Sequence, residues 1–534
     1  MSISEEPGQD PQAMPDLPRI TDYTAHWAQV DPDHEMLTHT EVRLTRGHVE
    51  EQSAALARAF LAAGVRHGDR VAVLGNPRPE FFVSFLAAAR IGAIWQGLNP
   101  KYTPGELDHV VGDSQPRILM GLSEHYREAL ESLCGRVHSD SPVITPGDSW
   151  NAFLQAGEAI GADELRQAES AVESADPAVL VYTSGTSGRP KGALLSHRGL
   201  VQCSVIQADR WYEAAPRMLC DLPINHVGCL GDISSSVVVA GGTVHYMEKF
   251  DRCGVLEVIA RERLEYWLAI PTMFLLVTGT PEWETADLSS MKRAIWGGAA
   301  APRELIGELQ RRIPLVCTSF GMTETVGSII YTDDDDDIEA LANTVGRPDP
   351  RFEIRIARPD GRVCDVGEEG EIQARGPFIM LGYLNRPEAT DQAIDADGWF
   401  HTGDVGRLDQ DGRIRLAGRL TDMFKSGGYN VYPREIELAL EEHPQVQAAA
   451  VVSVPDALYS EVGVGFVISR AGADLDTEEL RSFLRTRLAN YKIPKRLDIR
   501  DEFPRLAIGK VDKRALKDIA TRLGVDTSQP LGQS

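Results

Sequence analysis

The chain has 534 residues, too many for one ordinary domain, and its 43% hydrophobic and 25% charged content is that of a globular enzyme rather than a collagen, a coiled coil or a wholly disordered chain. Asp and Glu number 79 against 54 Lys and Arg, and the resulting charge of −25 repels nucleic acid and anionic membrane, so no nucleic-acid partner is expected. An anionic ligand can bind against such a field only where basic groups and backbone N–H dipoles are concentrated locally.

Residues 1–18 are rich in Glu, Asp, Pro and Gln, lack an apolar signal core and read as a mobile tail. Apolar residues at helical spacing from Val49 to Ala63 predict a helix, followed by the turn GVRHGD and the buried strand RVAVLGN. The pattern returns as a helix over Phe81 to Ile91, a strand over Ala93 to Leu98 and the strand-like AVLVY ending at Tyr182. This alternation predicts a large α/β sandwich with mostly parallel strands. The run Asp333 to Asp337 reads as a solvated loop rather than a cation site, because adjacent like charges repel. Beyond Gly418, the strands VQAAAVVSV and VGVGFVI alternate with helices at Pro433 to Glu442 and Thr477 to Ala489, which predicts a small α+β domain.

The expected organisation is therefore a tail at 1–18, an N-terminal domain at 19–418, a boundary at 419–420 with a hinge at 421, a mobile C-terminal domain at 422–520 and a tail at 521–534. Seven scattered cysteines form no C-x-x-C pair, which fits neither a disulfide framework nor a zinc site and points to a reducing cytoplasm. No stretch approaches the roughly 18 apolar residues needed to span a bilayer, so no transmembrane segment is expected. A homodimer is the ordinary expectation for such an enzyme.

The segment YTSGTSGRPKG, Tyr182 to Gly192, places three glycines, four hydroxyl side chains and two cations directly after a buried strand. Glycine allows close backbone approach, successive N–H groups form an anion nest, and the hydroxyls add donors for phosphate oxygens. It is not a Walker A loop, because Gly192 follows Lys191 where Ser or Thr is required. Read alone, it could also be a Ser/Gly connector, but such a linker is not expected between two apolar strand-like runs, AVLVY and GALLSH.

Four further segments follow in order: SFGMTET at Ser319 to Thr325, GWFHTGD at Gly398 to Asp404, GRLTDMFKSGGYNVYPREIE at Gly418 to Glu437, and PRLAIGKVDKRAL at Pro504 to Leu516. Together the five resemble the signature of the adenylate-forming superfamily of acyl- and aryl-CoA synthetases, luciferases and peptide-synthetase adenylation domains. The resemblance implies an AMP-forming acid–CoA ligase that uses ATP, Mg²⁺ and coenzyme A, takes a small-molecule carboxylic acid and serves the metabolism of fatty or related acids. It implies that Thr183, Ser184, Gly185, Thr186, Ser187 and Lys191 cradle phosphates, that Phe320 stacks near adenine with Gly321 and Met322 beside it, that Thr323 meets the α-phosphate, and that Glu324 is the metal ligand. By the same resemblance Asp404 accepts from the ribose hydroxyls, with Arg419 as cationic partner, and Lys510 bridges the substrate carboxylate and the α-phosphate. His226, in PINHVG, is implied as a gate between acyl pocket and adenylate, and Gly298 and Ala299, in WGGAAAP, as part of the adenine and acyl wall. Lys425, Gly427 and Gly428 are implied to line the thiol-transfer geometry. The catalytic set is thus Lys510, Glu324, Thr186 and His226.

Three departures stand out: Thr421 at the hinge, where relatives often have Asp or Lys, with Asp422 following, and Leu506 and Ile508 where Thr is common before the catalytic lysine. The chain has no room for a carrier domain after Lys510, which disfavours a peptide-synthetase module, and His226, Val227 and Gly228 offer no carboxylate for an amino-acid ammonium. A medium or bulky apolar acid is the expected substrate. The rival readings are a catalytically degenerate nucleotide-binding protein on the same fold and a stand-alone adenylating enzyme with another acceptor.

Overall fold

The computed structural model describes residues 14–137, 142–183, 190–420, 422–426, 429–456, 459–470, 472–473, 475–505 and 511–523. Among the sequence-derived expectations, Ser184, Gly185, Thr186, Ser187, Thr421, Gly427, Gly428, Leu506, Ile508 and Lys510, most of the N-terminal tail and the final residues lie outside these. The chain divides into two compact units, residues 1–353 with 374–400, and residues 354–373 with 401–534.

The first unit is built on two sheets. In one, the strands Ile94–Leu98, Arg70–Leu74, Ile118–Gly121 and Val143–Ile144 run parallel to Pro177–Thr183, while Lys191–Ser196 and Gly382–Tyr383 add antiparallel. In the other, Arg217–Cys220, Thr243–Tyr246, Tyr266–Ala269, Arg293–Trp296 and Leu315–Met322 form a parallel centre, and Gly327–Tyr331 turns back antiparallel beside Leu315–Met322. The predominance of parallel strands follows from sequences such as RVAVL, whose Val71, Ala72 and Val73 are all fully buried because helices cover both faces.

The helix Pro79–Arg90 shows how the two sheets are joined. Pro79 sets the first turn, where no N–H is needed, and every residue from Phe81 to Arg90 is buried. Such a helix, apolar all round, belongs in the interior. Phe81 packs against both Trp95 of one sheet and Tyr246 of the other, with ring centroids 5.8 and 5.3 Å apart, and Trp95 Nε1 donates to Ser84 Oγ at 3.0 Å. Each buried Phe contributes about 1.5–3 kcal/mol, so replacing Phe81 by Ala would loosen the contact between sheets. The first predicted helix begins three residues earlier than its apolar periodicity suggests, at Arg46, because Thr45 caps it by accepting from His48 N at 3.3 Å.

The Asp333 to Asp337 run is a loop with Asp334, Asp335 and Asp337 exposed, as expected, but it is tied down by contacts that the sequence did not disclose. Asp333 pairs with Arg210 and Arg347, Asp334 with Arg293, Asp336 is buried, and Asp337 caps the helix Ile338–Asn343 by accepting from Ala340 N at 2.8 Å. Arginines distant in sequence neutralise the repulsion that a local reading sees.

The second unit contains the strands Glu369–Arg375, Phe400–Leu408 and Ile414–Arg419, and a second sheet of Phe424–Ser426, Tyr429–Val431, Val446–Asp456, Ser460–Ser469 and Arg496–Arg500. Its edge strand Val446–Asp456 alternates faces with the period of two that a strand imposes. Val446, Ala449 and Val451 face Ile436, Leu440 and Leu480, whereas Ala450, Val452 and Val454 face Phe503, Leu516 and Ala520. Helices Pro433–Glu441 and Thr477–Arg485 cover one face and Lys513–Leu523 the other. Helix Thr477–Arg485 ends four residues before the sequence-based limit. Among the described residues no helix is long and apolar enough to cross a membrane.

Candidate active site

Strand register assembles the first cluster. Pairing of Thr183 with Lys191 sets both residues at the mouth of the loop between them. Thr183 Oγ1 lies 3.4 Å from Glu324 Oε1, and the same carboxylate oxygen accepts from Tyr383 Oη at 2.9 Å. Lys191 Nζ stands 4.5 Å over the Tyr383 ring. Thr183, Lys191 and Glu324, drawn from segments far apart in the chain, are thus brought together, with Tyr383 as a fourth member that the sequence reading did not single out. Burial, reinforced by the Glu324 carboxylate, pushes the Tyr383 phenol far above its usual range, so it remains a donor at every working pH.

Glu324 sits on a tight turn whose backbone is fixed from several sides. The 3₁₀ turn Thr323–Thr325 is closed by Thr325 Oγ1, which donates to Gly327 O at 2.7 Å and accepts from Met322 N at 3.0 Å. Met380 N donates to Glu324 O at 2.8 Å. Val326 follows with φ of +62°, a left-handed conformation that a β-branched residue rarely adopts. Such strain persists only where surrounding contacts enforce it, as the hydrogen bonds around this turn do. Gly321 pairs with Ser328 across the strands, and a Cβ there would collide with the Gly327 carbonyl.

Gly298 and Ala299 extend from the strand Arg293–Trp296, whose partner strand carries Phe320 and Met322, with Trp296 paired to Thr318. Both are exposed, as is Gly321, while Phe320 and Met322 are partly so. This is the open carboxyl edge of a parallel sheet, the usual place for a ligand in such folds.

His226 occupies a turn after Pro223, and its Nδ1 accepts from Gly228 N at 3.0 Å, which leaves Nε2 as the protonated nitrogen of the neutral ring. Asn225 Nδ2 donates to Tyr102 Oη at 2.9 Å and steadies the turn. Directly after it comes an eight-residue π-helix, Gly228–Ser235, a rare form found mostly at functional sites. Its Asp232 accepts from Ser328 N at 3.1 Å and from Gln207 Nε2. Burial pushes the Asp232 carboxyl up to about 6, although the Ser328 and Gln207 donors pull the other way. The sequence reading passed over this residue as well.

Asp404 and Arg419 face each other across the strands Phe400–Leu408 and Ile414–Arg419, and Arg419 Nε donates to Asp404 Oδ1 at 2.8 Å. Asp404 is buried while the Arg419 side chain is over half exposed. Lys425 lies exposed on the strand Phe424–Ser426. The segment that carries Lys510 is closed at its base: Arg505 pairs with Val511, and Asp512 N donates to Pro504 O at 2.8 Å. Next to that closure, Lys513 Nζ reaches Glu437 Oε1 at 2.8 Å and Asp422 Oδ2 at 3.6 Å. Burial raises the Glu437 carboxyl, but the Lys513 and Arg434 cations outweigh it and hold the group below its usual range.

A carboxylate on a strained turn beside Thr183 and Lys191, and a buried carboxylate with a cationic partner, suit a nucleotide triphosphate enzyme. The model of the AMP-binding enzyme family matches residues 24–384, and that of the AMP-binding enzyme C-terminal domain matches 435–510. The chain is 36% identical over 487 residues to a feruloyl-CoA synthase of Amycolatopsis sp, covering 91% of this chain and 96% of that one. It is 34% identical over 512 residues to an indoleacetate–CoA ligase of Aromatoleum aromaticum, covering 94% and 98%. In structure it is similar to ATP-bound MatB from Rhodopseudomonas palustris, with a TM-score of 0.81 and 28% identity over 93% of this chain and 98% of that one. The chain belongs to the AMP-binding enzyme family of the adenylate-forming superfamily. Such enzymes use ATP. Within that superfamily it is an AMP-forming acid–CoA ligase.

Proposed function

We propose that the chain converts a ring-bearing carboxylic acid and ATP into an acyl-adenylate and pyrophosphate, then transfers the acyl group to coenzyme A with release of AMP. Support for the ring comes from the two relatives, both of which are named for aromatic acids. The observation that carries the reading is the Glu324 carboxylate held by Tyr383 and Thr183 beside Lys191.

In the first half-reaction an oxygen of the substrate carboxylate attacks the α-phosphorus, the bond to the β-phosphate oxygen breaks, and pyrophosphate leaves. The Thr183 to Lys191 segment holds the phosphates, with Ser184, Gly185, Thr186 and Ser187 as further donors, and Thr323 meets the α-phosphate. The residues present suit Mg²⁺, which Glu324 would hold through one hard carboxylate oxygen. When bound, the ion neutralises charge on the phosphates. Phe320, Gly321, Met322, Gly298 and Ala299 border adenine, Asp404 accepts from the ribose hydroxyls, and Arg419 orients Asp404. Lys510 lies between carboxylate and α-phosphate, where a cation offsets the repulsion of two anions and stabilises charge in the transition state.

In the second half-reaction the thiolate attacks the acyl carbon and AMP leaves. A rotation about residue 421, shared with Asp422, withdraws Lys510 and presents Lys425, Gly427 and Gly428, with His226 opening the way to the adenylate. The mobile part is residues 422–520, moving against 19–418. The enzyme works in the cytoplasm, as its seven free thiols suggest, and as a homodimer. The test is ATP–pyrophosphate exchange with a panel of aromatic and aliphatic acids, followed by AMP release with coenzyme A. Exchange dependent on one class of acid is the expected result, and an absence of exchange with every acid would sink the reading.

A further inference from the structure

Helix Pro104–Ser114 is remote in sequence from the Glu324 turn, yet three parts of the ATP site are tied to its second half. His109 and Asp113, four residues apart and so on one face of the helix, make the ties. Tyr182 Oη donates to Asp113 Oδ2 at 2.9 Å, and His109 Nε2 lies 3.0 Å from Pro190 O. A carbonyl only accepts, so Nε2 carries the proton and donates. Asn385 Nδ2 donates to Asp113 O at 2.9 Å, and Arg386 Nη2 reaches Asp113 Oδ1 at 3.2 Å. The His109 and Tyr182 rings pack edge to face with centroids 6.4 Å apart, which joins the two side-chain ties.

Every anchored residue is a near neighbour of one gathered around the Glu324 carboxylate. Tyr182 precedes Thr183, which meets Glu324 Oε1, and Pro190 precedes Lys191, which stands over the Tyr383 ring. Asn385 and Arg386 follow Tyr383, which donates to Glu324. The strands Pro177–Thr183, Lys191–Ser196 and Gly382–Tyr383 pair with one another, but their ladders stop at this point. Strand ends fray where the ladder stops unless other contacts hold them, and here one helix face holds all three. The Asp113 side chain is only 11% exposed, and a carboxylate so placed is costly without the Arg386 cation and the phenol donor that it has. Burial, with the Asp113 charge adding to it, pushes the Tyr182 phenol far above its usual range and keeps it a donor.

We infer that His109 and Asp113 are positioning residues for adenylation, acting through Pro190, Tyr182 and Arg386 to set Lys191, Thr183 and Tyr383 against the phosphates of ATP. This rests on the reading above in which the Thr183 to Lys191 segment holds those phosphates. The consequence is selective. Loss of a tie weakens the hold on a triphosphate but not on AMP, whose ribose and α-phosphate fall to Asp404 and Thr323 in that reading. Transfer of a supplied acyl group from acyl-AMP to coenzyme A is spared for the same reason.

The test uses the full-length enzyme and three variants: His109→Leu, His109→Gln, which keeps a side-chain nitrogen donor, and Tyr182→Phe, which keeps the ring and leaves Asp113 its Arg386 partner. Calorimetry gives Kd for MgATP and for AMP, and ATP–pyrophosphate exchange and thioester formation from supplied acyl-AMP are measured separately with an acid that supports turnover. Tyr182→Phe should raise the ratio of the ATP Kd to the AMP Kd, and slow exchange, by about 10-fold or more, the scale of a hydrogen bond to a charged group. His109→Leu should do so by about 2- to 10-fold, the scale of a neutral one. His109→Gln should stay close to native, and thioester formation should hold in all three. Equal weakening of ATP and AMP, equal loss in the two half-reactions, or a loss in His109→Gln as large as in His109→Leu overturns the inference. Native behaviour of both His109→Leu and Tyr182→Phe overturns it too. Ligand-free melting shows which variants are folded, and if one is not, the other decides. Exchange absent from the native enzyme with every acid marks failure of the ligase reading and overturns both.

Discussion

Replacing Tyr383 by Phe removes a single hydroxyl and keeps the ring beneath Lys191, which makes it the sharpest probe of the Glu324 cluster. In the native chain Tyr383 Oη donates to Glu324 Oε1 at 2.9 Å, and Thr183 Oγ1 makes a longer contact with the same oxygen at 3.4 Å. A hydrogen bond to a charged group contributes about 1.5–3 kcal/mol, which corresponds to roughly 10- to 150-fold in rate or affinity. If the phenol aims the carboxylate at the metal-bound phosphates, Tyr383→Phe should slow ATP–pyrophosphate exchange by about that factor and raise the Mg²⁺ concentration needed for half-maximal rate. Conversion of supplied acyl-AMP and coenzyme A to thioester should be nearly unchanged, since no metal-bound triphosphate takes part. Normal exchange and normal Mg²⁺ dependence in the variant, or equal loss in both half-reactions, would refute the assignment.

Lys510→Ala should lose adenylation while still turning supplied acyl-AMP and coenzyme A into thioester, a split that rapid-quench assays of the two halves can measure. Lys513→Met leaves the buried Glu437 with Arg434 as its cationic partner among the described residues, so a lower melting temperature of the C-terminal unit and a fall in adenylation of about tenfold are expected, against an unchanged KM for the acid. Burial pushes the Asp221 carboxyl up to about 7, with the Trp267 N–H at 3.3 Å pulling it down. The folded chain then holds a proton that the unfolded chain releases, so stability falls as pH rises from about 4 to about 7 and the full penalty, on the order of a few kcal/mol, persists above that. Asp221→Asn should flatten this part of the pH–melting curve, and a variant that melts with the native pH dependence would contradict the account.

The sequence disclosed the site where function concentrates several unusual residues in one segment. The Thr183 to Lys191 loop stood out because glycines, hydroxyls and cations are rarely grouped between two apolar strands without a ligand, whereas the Glu324 turn was singled out only by its resemblance to the superfamily's motif. Tyr383 was not, because its role comes from a two-residue strand, Gly382–Tyr383, that adds beside Lys191–Ser196 from a distant part of the chain. Asp232 was hidden for another reason. A π-helix repeats at neither 3.6 nor 2 residues, so no periodic reading assigns its faces, and an isolated acidic residue in an apolar run resembles a surface position. The Asp333 to Asp337 loop was foreseen as a loop but its ion pairs were not, since the arginines that neutralise it come from other strands and helices. Elements with strong periodicity, such as Arg70–Leu74 and Pro79–Arg90, were placed to within a few residues.

The most direct test of acyl-adenylate formation follows the substrate oxygen. With any acid that supports turnover, labelled with ¹⁸O in both carboxyl oxygens, attack on the α-phosphorus and later cleavage at the acyl carbon must leave one labelled oxygen in AMP. Mass spectrometry should find AMP heavier by one ¹⁸O and pyrophosphate unlabelled. Label in the phosphate or pyrophosphate product, or AMP wholly without it, would contradict the account.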